Sequence, residues 1–379
     1  MTINRRALLT RSAALAGALA LSKQNAIAKA LKETGLKELY QDDFYLGTAI
    51  GHARLTNPPT GFNALVAREF NALTLENDMK WERVHPQPEQ WVWEYADKFI
   101  ALGEQHKMFM VGHVLVWHSQ TPPWVFNDKN GNPVSREVLL ARMKSHIDTL
   151  AGRYRGRVHA WDVVNEAVDE DQGWRQSPWF KQIGPDFIEH AFHYARAAAP
   201  DAHLMYNDYN MHNPGKRQFV VDMIKRFKQT GVPIDGVGMQ GHIGLGYPDI
   251  TEFEKSIKAF AAAGVAVHIT ELDLDVLPTA WEHIGAEISD NFAYADELNP
   301  YPDGLPAKIE AQLAERYAEW FALFLKHRDS IARVTLWGTG DSESWKNNFP
   351  VRGRRNYPLL FDRDYQRKSA YHSVAALRK

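Results

Sequence analysis

Eight short apolar runs, each followed by a polar or aromatic residue and most separated by a helical pattern, constrain this chain more than any other feature. They are "FYLGTAI" (44–50), "FNALTLEN" (70–77), "FMVGHVLVWH" (109–118), "VHAWDVVNE" (158–166), "HLMYNDYN" (203–210), "GVGMQGHI" (236–243), "VHITELDL" (267–274) and "RVTLWGTGD" (333–341). Runs of this length read as strands. The segment "SREVLLARMKSHIDTLAGRY" opens on Ser135, a capping residue, and "GKRQFVVDMIKRFKQTG" stops on Gly231. "KSAYHSVAALRK" at the end of the chain supplies an eighth helix. Alternating strand and helix predict a parallel sheet, and eight such units predict a single-domain (β/α)8 TIM barrel of class α/β. A doubly wound open sheet is the competing architecture. The polar ends favour the barrel, because there all eight converge on one mouth, whereas an open sheet would spread them along an edge.

After residue 30 no repeat, low-complexity tract or linker divides the chain. The long irregular stretch 275–306 follows the seventh run and is expected to wall the mouth. At the N-terminus, Arg5, Arg6 and Arg11 precede the apolar run "AALAGALAL" (13–21), with small residues at Ala26, Ala28 and Ala30. That run is shorter than the roughly 20 residues a membrane span needs. Residues 1–28 therefore read as a cleaved export signal, twin-arginine-like in "NRRALL" although Asn4 stands where a hydroxyl residue is more usual, with the general route as the alternative, leaving 29–379 as the barrel, in the periplasm or outside the cell. The expected product is a monomer without membrane attachment once the signal is removed. Lysine plus arginine (44) nearly balance aspartate plus glutamate (46), so no footprint for nucleic acid stands out. With no cysteine, thiol catalysis and cysteine-ligated zinc are excluded.

Two glutamates close apolar runs in a matched way, Glu166 in "WDVVNE" and Glu271 in "ITEL". Either alone reads as a strand-end carboxylate in a salt bridge. Two at one mouth are the machinery of glycoside hydrolysis, where one carboxyl protonates the leaving oxygen and the other attacks or activates water. Trp81, Trp117, Trp337 and Trp345 on the same ends are candidate platforms for sugar rings, with Asn77, Lys80, Gln120, Asn165 and Gln240 as partners for hydroxyls. Beyond Glu271, Asp273 is expected to tune its charge and Asp275 to be an ordinary loop-start carboxylate.

The motifs "LENDMKWE", "HVLVWHSQ", "WDVVNEA", "YNDYN", "GMQGHI", "ITELDLD" and "LWGTGDSESW", in this order, resemble glycoside hydrolase family 10, the retaining endo-1,4-beta-xylanases. The resemblance implies a xylan or xylo-oligosaccharide substrate, Glu166 as general acid/base and Glu271 as nucleophile. It also implies that Asn165 holds the sugar 2-hydroxyl, that His242 and Gln240 orient Glu271, and that Glu76, Asn77 and Lys80 grip the sugar one unit further from the cut. His113, Trp117 and Gln120 would line the site, Trp337 and Trp345 cover the glycone side, and Tyr209 and Asn210 reach toward the leaving group. Val114, where family members often have Thr, and the turn "GTGD" bear on subsite affinity. The chemistry implied needs no metal and no cofactor, since two carboxyls exchanging one proton complete both displacements.

Three other readings are weighed. "GVGMQG" matches a dinucleotide fingerprint, but such a fingerprint should open a helix. His113, His118, His242 and His268 with Asp273 and Asp275 could serve a metal-dependent barrel hydrolase. An inert carbohydrate-binding barrel would use the platforms but has no need of paired glutamates.

Overall fold

The computed structural model describes residues 34–169, 173–278 and 296–378; the expected export signal and most of the long stretch after the seventh run lie outside these residues. The eight runs are strands β1 (Tyr45–Ile50), β2 (Ala72–Leu75), β3 (Phe109–Val116), β4 (Ala160–Asn165), β5 (His203–Asp208), β6 (Gly236–Met239), β7 (Ala266–Asp275) and β8 (Ile331–Leu336). Each pairs in parallel with the next, and β8 pairs with both β7 and β1. That closes the barrel and rules out the open doubly wound sheet.

The strands are apolar on both faces because helices cover the outside while side chains fill the inside. In the helix Phe187–Ala198, residues Phe187, Ile188, Ala191, Phe192, Ala195 and Ala198 form one buried stripe packed toward β4. Burying each of its larger members contributes about 1.5–3 kcal/mol. Ser135 caps the helix Arg136–Arg153, its side chain accepting from the Val138 amide at 3.4 Å. Gly231 ends the helix Pro214–Thr230 in the left-handed conformation. The helix Ser369–Ala376 closes the chain against the first turn, where the Tyr40 hydroxyl donates to the Val374 carbonyl at 2.8 Å.

One run departs from its expected extent. β6 stops at Met239, Gly241 takes φ +82°, and His242–Gly244 resumes as a short strand beside Asp273–Asp275 of β7. The "GVGMQG" match therefore lies in a strand and a turn, and the next helix begins only at Ile250. No phosphate-binding helix terminus follows it.

Three ladders slip register near the mouth: β3 on β4 between His113 and Val116, β4 on β5 between Asp162 and Val164, and β7 on β8 between Ile269 and Leu272. Bulges of this kind re-aim side chains. The third contains Glu271.

Candidate active site

The C-terminal ends of the strands surround a cleft of about 390 Å³. Glu76, Asn77 and Lys80 enter it after β2, His113 and Trp117 from β3 and its end, Asn165 and Glu166 from β4, and Tyr209 and Asn210 after β5. Gln240, His242, Glu271, Trp337 and Trp345 complete the wall. Gln120 lies behind it: its Oε1 accepts from Lys80 Nζ at 2.8 Å, and Lys80 also donates to Asn77 Oδ1 at 2.9 Å. Lys80 Nζ sits 4.9 Å from the centre of the Trp117 ring. Burial depresses the Lys80 ammonium against the pull of Glu76, Glu271 and Glu166, and burial likewise raises the Glu76 carboxyl despite Lys80.

Trp81 is not a platform. It is 2% exposed, its ring is stacked on His146 with centroids 3.7 Å apart, and Trp179 packs beside it at 5.7 Å. The indole faces away from the mouth and belongs to the core.

Glu166 occupies a turn clamped from several sides. Its φ is +56°, a region costly for a residue with a side chain. Its amide donates to the Asn207 carbonyl at 2.9 Å, its carbonyl accepts from Arg175 Nε at 2.7 Å, and the Ala167 and Val168 amides both donate to the Tyr206 hydroxyl at 3.1 Å. The carboxyl accepts from Trp117 Nε1 at 2.9 Å on one oxygen and from Gln240 Nε2 at 2.8 Å on the other. Gln240 thus holds Glu166, not Glu271.

Glu271 is held from two directions. Asn207 Nδ2 donates to Oε1 at 2.8 Å, and His242 Nε2 faces Oε2 at 3.3 Å. Asn207 also donates to Asn165 Oδ1 at 2.9 Å and accepts from the Thr270 hydroxyl at 2.6 Å, so its amide orientation is fixed. A Cβ on Gly238 would stand 2.2 Å from Asn207 Oδ1, which makes that glycine a condition of the arrangement. Behind His242, Asp273 accepts from Nδ1 at 2.9 Å on one oxygen and from Trp345 Nε1 at 2.7 Å on the other. Burial works against a charged His242 ring, but the charges and hydrogen bonds of Asp273 and Glu271 outweigh it and lift the ring to about 9. At neutral pH both ring nitrogens therefore donate.

Asp275 is not an ordinary loop-start carboxylate. It is 8% exposed, lines the cleft, and is engaged by Lys346 Nζ at 3.6 Å and Asn356 Nδ2 at 2.8 Å. On the opposite side, Arg175 Nη2 donates to the Tyr209 hydroxyl at 2.8 Å while Lys216 Nζ lies 4.0 Å from the ring centre. That ammonium is paired at 2.7 Å with Asp208, both fully buried.

The histidines weighed as metal ligands go to different partners. His113 Nδ1 pairs with Asp162 Oδ2 at 2.8 Å, His268 Nε2 faces His203 Nε2 at 3.0 Å inside the barrel, and burial lowers His118 to about 3. Among the described residues no three His, Asp or Glu side chains form a group able to hold a metal ion.

Sequence reasoning missed Asn207, Asp162, Arg175 and Lys346. Asn207 had a signal: an amide in the apolar part of a strand must be hydrogen-bonded inside. Asp162, inside the apolar run of β4, carried the same signal, whereas Arg175 and Lys346 are joined to their partners only by the fold.

The family model described as glycosyl hydrolase family 10 matches residues 35–377. Endo-1,4-beta-xylanase A of Xylanibacter ruminicola is 46% identical over 92% of this chain and 95% of its own length. A GH10 endoxylanase retrieved from a sugarcane soil metagenome superposes with a TM-score of 0.88 at 55% identity, covering 90% of this chain and 100% of that one. A mutant structure in complex with xylotriose superposes with a TM-score of 0.80 at 35% identity, covering 90% and 99%.

Proposed function

The chain belongs to glycosyl hydrolase family 10, and from that premise we propose how its residues divide the work of cutting xylan. The activity is the retaining hydrolysis of internal β-1,4-xylosidic bonds in xylan or xylo-oligosaccharides. Glu166 is the acid and base, and Glu271 is the nucleophile. The observation that carries this reading is the difference in what holds the two carboxyls. Glu271 faces a ring that is cationic at neutral pH, whereas among the described residues the Glu166 carboxyl accepts from the neutral donors Trp117 and Gln240. The cationic ring marks Glu271 as the attacking group, and Glu166, held by neutral donors, is left to exchange a proton with the departing oxygen and then with water.

In the first displacement a Glu271 oxygen forms a bond to the anomeric carbon while the glycosidic C–O bond breaks, and the departing oxygen takes the Glu166 proton. In the second, Glu166 accepts a proton from water as that water displaces Glu271 from the sugar. Two inversions at one carbon give net retention. Asn165, whose Oδ1 accepts from Asn207, stands between the carboxyls to meet the 2-hydroxyl. Glu76, Asn77 and Lys80 bind the next sugar on the glycone side under Trp337 and Trp345, and Tyr209 and Asn210 receive the leaving group.

Proton NMR of xylohexaose digestion tests the activity: the β-anomer of the product appears first and mutarotates to the mixture. Initial α-anomer would mean single inversion and overturn the double displacement. We further propose export, supported by Arg5, Arg6 and the apolar run 13–21. Full-length protein made in a bacterium with a twin-arginine pathway is expected outside the cytoplasm as a monomer starting near residue 29. Arg5→Lys with Arg6→Lys should retain it inside; unchanged export in that variant would refute the route.

A further inference from the structure

Arg175 stands just past the antiparallel hairpin of Val168–Asp169 and Gly173–Trp174, which begins two residues after Glu166. The hairpin is fixed on the helix Pro214–Thr230, where Trp174 meets Phe219 edge-on with ring centres 4.9 Å apart. Its return is closed by the Arg175 amide, which donates to the Ala167 carbonyl at 2.9 Å. A half-buried guanidinium is thereby brought back beside the turn that carries Glu166. Its Nε donates to the Glu166 carbonyl at 2.7 Å and its Nη2 to the Tyr209 hydroxyl at 2.8 Å. Neither acceptor is a carboxylate, so what these two bonds fix is geometry.

Both ends of the bridge need holding. Glu166 takes φ +56° and Asn210, next to Tyr209, takes φ +49°, conformations that residues with side chains keep only where neighbours over-determine them. The peptide joining Glu166 to Ala167 is gripped at its amide by the Tyr206 hydroxyl at 3.1 Å and at its carbonyl by Arg175. At the other end the Tyr209 ring rests on Lys216, with Nζ 4.0 Å from its centre. The phenol oxygen accepts from a group that can only donate, which leaves its own proton for a sugar. One turn follows β4 and the other follows β5, and Arg175 is bonded to both.

We propose that Arg175 is a positioning residue for this reaction: its two-pronged bridge locks the turn of the acid/base to the leaving-group tyrosine, so that the Glu166 carboxyl meets the departing oxygen where Tyr209 receives the leaving sugar. This rests on the acid/base assignment of Glu166. A lysine cannot reproduce the bridge, because its ammonium is a point charge on a flexible stem, whereas the guanidinium presents its donors in a fixed planar fork.

The test is Arg175→Gln and Arg175→Lys, read on phenyl and dinitrophenyl β-xylobiosides, which share a glycone and carry no leaving sugar. Phenol needs a proton to depart, and dinitrophenol does not. On the phenyl substrate kcat/KM, which reports formation of the glycosyl-enzyme, should fall about 10–100-fold, and on the dinitrophenyl substrate no more than about threefold. A residue that only supported the fold would lower both alike. Arg175→Lys should lose as much as Arg175→Gln, since the two bonds matter and the charge does not. In a Glu166→Ala background, adding Arg175→Gln should cost no more than about twofold on the phenyl substrate, because the carboxyl it places is gone. Equal losses on the two substrates, recovery of the phenyl activity by Arg175→Lys, an undiminished cost in the Glu166→Ala background, or failure of both Arg175 variants to fold would each overturn the proposal. If Glu166→Ala itself lost both substrates equally, the acid/base assignment would fall instead.

Discussion

Glu271→Ala is expected to lose activity on xylan by a factor on the order of 10⁴ or more and to regain turnover of an activated aryl xylobioside when azide is added. In the proposed double displacement this carboxylate makes the attack, so its removal stops the first step. The space it leaves is flanked by Asn207 Nδ2 and the His242 ring, two donors that suit a small anion. Azide entering there attacks once, and the product is the α-glycosyl azide. The measurement is azide-dependent release of the aryl group together with the configuration of the sugar azide. Activity on the aryl substrate without azide would assign the attack elsewhere.

Glu166→Ala should behave oppositely with respect to the leaving group. On xylan, whose leaving alcohol needs a proton, kcat/KM is expected to fall by roughly 10²–10⁴-fold. With a dinitrophenyl leaving group, which departs unaided, formation of the glycosyl-enzyme should be nearly unchanged and the intermediate should accumulate, since the water now lacks its base. Azide in this variant replaces water in the second displacement and yields the β-glycosyl azide. Steady-state and burst kinetics on the two substrates check the split, and equal losses on both would sink the acid/base role.

Much of this architecture was legible because barrel strands carry their own signal. They are short, apolar on both faces, and closed by the polar residues that build the mouth. Their ends were less legible: "FNALTLEN" is a strand only over Ala72–Leu75, because Glu76 and Asn77 turn into the cleft. The paired glutamates could be picked out because each follows an apolar run, although only Glu166 stands just past its strand, while Glu271 lies within β7 at the bulge. Trp81 could not be placed, since the ring it stacks on, His146, belongs to a helix more than sixty residues away in the chain. Asp275 was misread for the same reason: Lys346 and Asn356, which make it part of the cleft wall, come from beyond β8. What pattern reading lacked in each case was the partner, and partners here are set by barrel closure rather than by spacing.

The hydrogen bond from Trp345 to Asp273 reaches into enzyme engineering. A library that varies the aromatic at position 345 in the cleft wall also alters the carboxylate that keeps His242 cationic beside Glu271. Selection for new substrates at that position is therefore expected to shift the pH profile as well, which a kcat/KM profile of each selected variant checks. Breeding the two traits separately requires changes on the Tyr209 side of the cleft, where the supporting charges are Arg175 and the Lys216–Asp208 pair.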